Sequence, residues 1–420
     1  MIFPKKEILF SPMLGTLGGG SMRSFGRGTG GSTLYDFSSH TFSNAGAFGQ
    51  LGPTLAMART AYDPVTVWND NSGAAGANIA WDLDTALFNV PYDGLQLWTV
   101  PEDATYNFDL RGAAGGPAMF DTTLSPGRPQ RIYNAKIELE VGQKLLIAIG
   151  QRGGEGLNQS GNSGAGGGGG TFVCKFGEGA GANGFADNAI KPLLIASGGN
   201  GEPYSGWYVG GPNARPTSAL TGTSATTNTP GGTTWLNLSK TYGRGGFGGG
   251  FNVDWKLMRE QFAHYPTASQ MGQANYANPH VVHGAALLTD TDYSNSYNDK
   301  YWGELSSRSL RGGDAEGQTS GADNARTQNN SAFGFGGFGG GGGSKHEGGG
   351  GGGYHGGATQ DTNQTSTVYA YGAVSYISSS INAGSVETLY STPSISYLNT
   401  AYINTEPFWQ LNGSCTITKV

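Results

Sequence analysis

Residues 333–357 read FGFGGFGGGGGSKHEGGGGGGYHGG, and no other stretch restricts the possible folds so tightly. Glycine loses more backbone freedom on ordering than any other residue, so an ordered run must be held by contacts outside itself. Glycine supplies 75 of the 420 residues, about 18% against a usual share of about 7%. A chain built for disorder would be poor in aromatics and rich in charge. Here aromatics reach 11% and charged residues only 13%, with 19 Phe, 20 Tyr and 8 Trp. That composition supports a buried core, and the glycine reads as structural rather than as slack linker.

The glycine clusters at 161–170, 243–250 and 334–357, after or between apolar stretches, which suggests three rods packed side by side. Polyglycine can adopt the left-handed three-residue helix that has no internal hydrogen bonds. Alone in water such a helix gains nothing. In a bundle its outward N–H and C=O groups bond to neighbours, and only glycine lets the backbones approach so closely. Gly166, Gly168, Gly170, Gly248, Gly339, Gly341, Gly349 and Gly351 are the expected structural glycines, with residues 344–347 (SKHE) turning one rod into the next.

The remainder reads as short strands. GLQLWTVPEDATYNFDLRG (94–112) places Leu95, Leu97 and Thr99, then Tyr106, Phe108 and Leu110, at alternate positions around a Pro-Glu-Asp turn. AKIELEVGQKLLIAIGQRGG (135–154) repeats the pattern with Ile137, Leu139 and Val141, then Leu145, Ile147 and Ile149. GGTFVCKFG, IKPLLIASGG, STVYAYGAVSYISSS, PSISYLNTAYI and GSCTITKV add further strands. Regular short strands with turns between them indicate a mostly β, antiparallel sandwich with little helix. Only residues 54–62 and 254–265 carry helical spacing. The expected organisation is an arm at 1–32, a first sandwich part at 33–160, and a glycine-rich bundle at 161–360. Strands near 170–176 and 190–197 belong with the sandwich, long insertions fill 202–242 and 252–330, and residues 361–420 complete the sandwich.

A formal charge of −6 argues against a general nucleic-acid binder. The three Arg-Gly-Gly units at Arg152, Arg244 and Arg311 stand alone, each Arg ending a glycine segment near solvent or a carboxylate. Cys174 and Cys415 lie in strand-like stretches where a lone Cys behaves as a small buried hydrophobe, although pairing stays open. The apolar patch near the N-terminus is short and cut by Ser11 and Pro12, so neither a signal peptide nor a membrane span is expected.

Motifs for chemistry fall short. The stretch 288–299 has Asp290 and Asp292, but Ser294, Asn295 and Tyr301 occupy positions a calcium loop reserves for Asp or Asn, Gly and Glu. His280 and His283 lack a third ligand nearby. Residues 339–346 have Ser before Lys and fail as a phosphate loop. Residues 21–24 fail as a nucleophile elbow because Arg23 stands at the last glycine position. No catalytic residue, cofactor or metal is expected.

Five segments occur in a telling order: LRGAAGG (110–116), GQKLLIAIGQRG (142–153), AGGGGGTFVCKF (165–176), KPLLIASGGNG (191–201) and FGGFGGGGGSKHEGGGGGGYHGG (335–357). The series resembles the glycine-rich domain of the anaplastic lymphoma kinase and leukocyte tyrosine kinase receptors. That resemblance implies a tumour-necrosis-factor-like, jelly-roll-type sandwich with an inserted polyglycine-II bundle, over roughly residues 95–360. The receptors' cysteines are missing, so their signalling role is not carried over. SPMLGTLGGGSMRSFGRG (11–28), HTFSNAGAFGQLGPTLAMARTAY (40–62) and the 94–116 stretch look like structural proteins of tailed marine bacteriophages.

The joint resemblance implies a non-enzymatic virion protein of the tail or fibre, made in the host cytoplasm and involved in host attachment as an adhesin. The alternatives are a fibre or capsid-decoration component without a receptor, ranked next, and a polysaccharide depolymerase, ranked last. Lys5, Lys6, Arg23 and Arg27 mark the arm that would dock to other virion proteins. Fold analogy suggests a symmetric homo-oligomer, such as a trimer on a fibre axis. Trp207, Tyr208, Trp235, Tyr293, Tyr297, Tyr301 and Trp302 are the candidate contacts to a host surface glycan or protein. Aromatic faces bind sugars and protein patches at low entropic cost, whereas a small core within the insertion is the competing use of such residues.

Overall fold

The computed structural model describes residues 33–62, 81–117, 127–156, 164–177, 190–202, 248–251, 287, 305, 309–313, 334–344, 348–354, 356–360, 369–371, 373–381, 384–388 and 411–420. Thirteen strands follow one another along these residues: β1 (Ser39–Phe42), β2 (Phe88–Tyr92), β3 (Leu95–Thr99), β4 (Ala104–Arg111), β5 (Gln130–Leu139), β6 (Lys144–Ala148) and β7 (Thr171–Phe176). They continue with β8 (Ile190–Ala196), β9 (Ala358–Gln360), β10 (Tyr369–Tyr371), β11 (Tyr376–Ile377), β12 (Ser385–Thr388) and β13 (Ser414–Lys419). The chain is mostly β. One helix, α1 (Leu55–Tyr62), and a 3₁₀ turn at Trp81–Leu83 are the helical elements described. The helical spacing at 254–265 and the apolar stretch 393–403 lie outside the described residues.

Two antiparallel sheets carry the architecture, one in the order β1-β13-β4-β5-β12 and the other in the order β11-β8-β7-β6-β3-β2. The two-stranded pair β10-β9 stands beside them. Their inner faces share one core, an arrangement consistent with a β-sandwich. From the first sheet come Phe42, Tyr106, Phe108, Leu110, Ile132, Ile137, Cys415 and Ile417. From the second come Phe88, Trp98, Leu145, Ile147, Val173, Leu194 and Ala196. Period-two alternation dictates this on β4, where Tyr106, Phe108 and Leu110 face in and Asn107 and Asp109 face out. Asn134 sits at φ +56° beside the register shift between Phe108 and Leu110, a backbone shape that Asn tolerates better than most residues.

The second sheet departs from the simple half-buried pattern. Leu95, Leu146, Ala148, Phe172, Cys174 and Ile195 point to its other face, where Leu287, Leu305, Leu310 and Phe338 cover them. On β3 the expected Leu95 and Leu97 belong to this outer cluster, while Trp98 takes the inner core. Both faces are occupied because later parts of the chain fold back onto the sheet, so its strands read as apolar runs and not as a clean alternation.

A small polar network sits under α1. The Tyr62 hydroxyl donates to Gln96 Oε1 at 2.6 Å and accepts from the Ser43 N–H at 3.1 Å. Gln96 Nε2 donates to the Ser43 carbonyl at 3.1 Å. Thr54 caps the helix, its hydroxyl accepting the Met57 N–H at 3.2 Å. Buried polar groups are tolerated here because each has a partner.

Candidate functional site: a lattice of glycine segments

Three strands run straight into glycine-bearing segments: β4 into 112–117, β6 into 149–156 and β8 into 197–202. A fourth segment, 164–170, leads into β7. Segments 334–338 and 341–344, joined by a turn at Phe338–Gly340, and 348–353 pack among them. Strands from both sheets thus feed one lattice at the same end of the molecule.

Segment 164–170 lies at its centre. The N–H of Ala165 donates to Glu202 O, Gly166 to Gly154 O, Gly167 to Gly342 O, Gly168 to Gly199 O, Gly169 to Gln151 O and Gly170 to Gly339 O, all at 2.8–2.9 Å. The partner changes in a strict three-residue cycle. The carbonyls follow the same cycle: those of 164 and 167 accept from Gly334 and Gly337, those of 165 and 168 from Gly349 and Gly352, and those of 166 and 169 from Gly116 and Ala113. A strand bonds to two neighbours in a plane; this segment bonds in three directions to six neighbouring runs. Every backbone donor from 165 to 170 and every acceptor from 164 to 169 is satisfied, where a buried orphan would cost about 1–3 kcal/mol each.

Side chains are excluded by distance. A Cβ built on Gly166 would lie under 3.0 Å from the backbone of Phe335, on Gly168 from that of Ala113 and Ala114, and on Gly349 from that of Gly342. Gly170 and Gly341 would meet Gly352 and Gly167, and Gly351 would meet Gly198. Gly248 donates to the Gly357 carbonyl, and Gly339, at φ +99°, donates to the Leu310 carbonyl. Each of the eight glycines singled out in the sequence therefore has a place in this lattice.

The lattice is wider than the three rods expected. Segments 112–117, 149–156 and 197–202, and the short run 310–313, also take part. Their glycines are interrupted by Ala113, Ala114, Gln151, Arg152 and Asn200, so no long glycine run marks them. The available signal was a spacing of three: Gly112 and Gly115, Gly150 and Gly153, Gly198 and Gly201. Both Arg-Gly-Gly units with described glycines belong here: Gly153 donates to Ala114 O, Gly154 to Phe335 O, Gly312 to Gln50 O and Gly313 to Gly341 O. Arg152 pairs with Glu155 at 2.9 Å and lies 4.4 Å over the Phe48 ring.

Two buried polar side chains complete the bonding of the lattice, Ser344 at the end away from the sheets and Asn200 within it. The Ser344 hydroxyl is buried, 2.6 Å from Gly164 O and 2.9 Å from Gly334 O. Asn200 Oδ1 accepts the Gly351 N–H at 2.8 Å. Hydrogen bonding puts residues 117, 156, 202 and 344, where described segments end, level with 164, 334 and 348–349, where others begin. Four described segments therefore end, and three begin, at this one tip.

Trp207, Tyr208, Trp235, Tyr293, Tyr297, Tyr301 and Trp302 lie outside the described residues, as do Lys5, Lys6, Arg23 and Arg27 of the arm, Asp290, Asp292, His280 and His283. Cys174 and Cys415 are free thiols, both buried, Cys415 in the core between the sheets and Cys174 in the cluster on the outer face of the second sheet. Burial pushes both thiols well above their ordinary range. Among the described residues no group of three or more His, Cys, Asp or Glu could hold a metal ion, and no helix is long and apolar enough to cross a membrane. Compared with protein-family models and with curated proteins, the chain matches none.

Proposed function

We propose that this chain is a non-enzymatic structural protein of a tailed-phage particle, sited on the tail or fibre, whose rigid body presents insertions to the host surface. In this reading the two sheets form a jelly-roll sandwich of the tumour-necrosis-factor type, and the glycine segments form a polyglycine-II bundle. The observation that carries it is the three-residue bonding cycle of 164–170 to six neighbours. A three-fold helix aims successive N–H groups about 120° apart, which is what such a cycle requires.

Rigidity and display follow from the same geometry. The lattice has almost no side chains to rearrange, and its backbone groups are mutually bonded. Residues 203–247, with Trp207, Tyr208 and Trp235, follow in sequence on Glu202, which lies at the tip. Length can vary there without disturbing the lattice, as suits a surface that must match a changing host receptor. Tyr293, Tyr297, Tyr301 and Trp302 are proposed as further contacts to glycan or protein, and Lys5, Lys6, Arg23 and Arg27 as the docking arm. A homo-oligomer on a fibre axis would multiply weak contacts by avidity.

Immunogold labelling of purified particles with an antibody to this chain tests the placement. Gold at the tail or fibre is expected; particles that stay unlabelled contradict it.

A further inference from the structure

We propose that His40 is an acid-sensitive latch that holds α1 and the Trp81–Leu83 turn against the edge of the first sheet. His40 lies on β1, the edge strand, with its side chain directed inward beside Phe42. Its ring is boxed by three aromatic rings at nearly right angles: Phe42 at 4.6 Å, Tyr62 of α1 at 4.7 Å and Trp81 of the turn at 5.0 Å. Its Nε2 is buried without a hydrogen-bond partner. One imidazole thus touches the strand, the helix and the turn together.

Helix and turn are also tied to each other. Arg59 Nε donates to the Asp82 carbonyl and its terminal nitrogen to the Leu83 carbonyl, both at 2.8 Å. They can move as a unit. The titratable or charged groups on the surrounding elements are Arg59 and Tyr62 on α1, Asp82 on the turn, and Cys415 and Lys419 on β13. None of them offsets the loss of water around the ring: burial alone lowers the His40 pKa to about 4.

The sign follows from linkage. With the unit closed, His40 takes up its proton near pH 4; with the unit open and the ring in water, near pH 6.5. Between these values the open form binds more protons, so acid favours opening. The closed-to-open ratio is constant above about pH 6.5 and falls about tenfold per pH unit below it, levelling off near pH 4.

Amide hydrogen exchange on the full chain, corrected for intrinsic rates, tests this. From pH 6.5 to 4.5, protection of α1 amides is expected to fall about fortyfold while β6 amides keep theirs. His40→Phe, which keeps an apolar ring in the box, is expected to abolish the fall. Parallel profiles for wild type and variant, or loss at β6 in step with α1, would overturn the latch. Should the variant fail to fold, an NMR titration of His40 decides. An apparent pKa at least one unit below 6.5 supports the proposal, and a smaller depression overturns it.

Discussion

The ring of Phe338 occupies the space that a side chain on residue 94 would need. A Cβ on Gly94 would lie under 3.0 Å from three atoms of that ring, and Gly94 itself sits at φ +84° in the β2–β3 hairpin. Phe338 belongs to the turn of the glycine lattice, is 1% exposed, and its carbonyl accepts the Gln151 N–H at 2.7 Å. This contact locks the lattice to the second sheet. Gly94→Ala is expected to cost roughly 3 kcal/mol, from left-handed strain and overpacking together. Phe338→Ala should cost about 3–5 kcal/mol through the cavity it leaves. Denaturant unfolding of the double variant should give a cost at least about 1 kcal/mol below the sum, because removing the ring removes the clash; strict additivity would deny the contact.

Substitution inside the lattice should be far more damaging than at an open glycine. Gly168→Ala sets a Cβ against the carbonyls of Ala113 and Ala114, backbone atoms that cannot step aside. A loss of about 3 kcal/mol or more is expected. Gly142, at φ +78° between β5 and β6, has nothing within 4 Å of a built Cβ. Gly142→Asn should therefore cost less than about 1 kcal/mol, since Asn accepts left-handed backbone. Thermal melts of the two variants make the comparison, and equal losses would mean that the close approaches do not exist in solution.

The two thiols should behave as core hydrophobes. Cys174 and Cys415 are both fully buried, and burial raises the pKa of each, so little thiolate is available. Titration with a thiol-specific disulfide reagent is expected to release no product from native protein at pH 8 and two equivalents after denaturation. Fast release from the native form would contradict their placement.

What could be read in the sequence was whatever a short window carries. Alternation around Tyr106, Phe108 and Leu110 gave β4 its inward face, and the helical stretch 54–62 became α1 with its Thr54 cap. The long glycine runs announced a close-packed backbone. Hidden was everything set by distant chain. Leu95 and Leu97 share a face, as their alternation requires, but it is the outer one, because Leu305, Leu310 and Phe338 arrive to bury it while Trp98 takes the inner core. Segments 112–117, 149–156 and 197–202 contain too few consecutive glycines to be recognised singly; only their shared neighbour at 164–170 makes their spacing of three meaningful. The His40 box joins three elements through one polar residue, and a lone His in a strand gives no sign of that.

Glycine, the most easily disordered residue, should here form the most rigid part of the molecule. Residue-resolved amide exchange at 165–170 tests this most directly. With all six N–H groups bonded at 2.8–2.9 Å in the middle of the lattice, they should exchange only through global unfolding, as slowly as the amides of β6 and β7. Exchange of these six amides at rates near those of an unstructured glycine peptide, while β6 stays protected, would contradict the lattice.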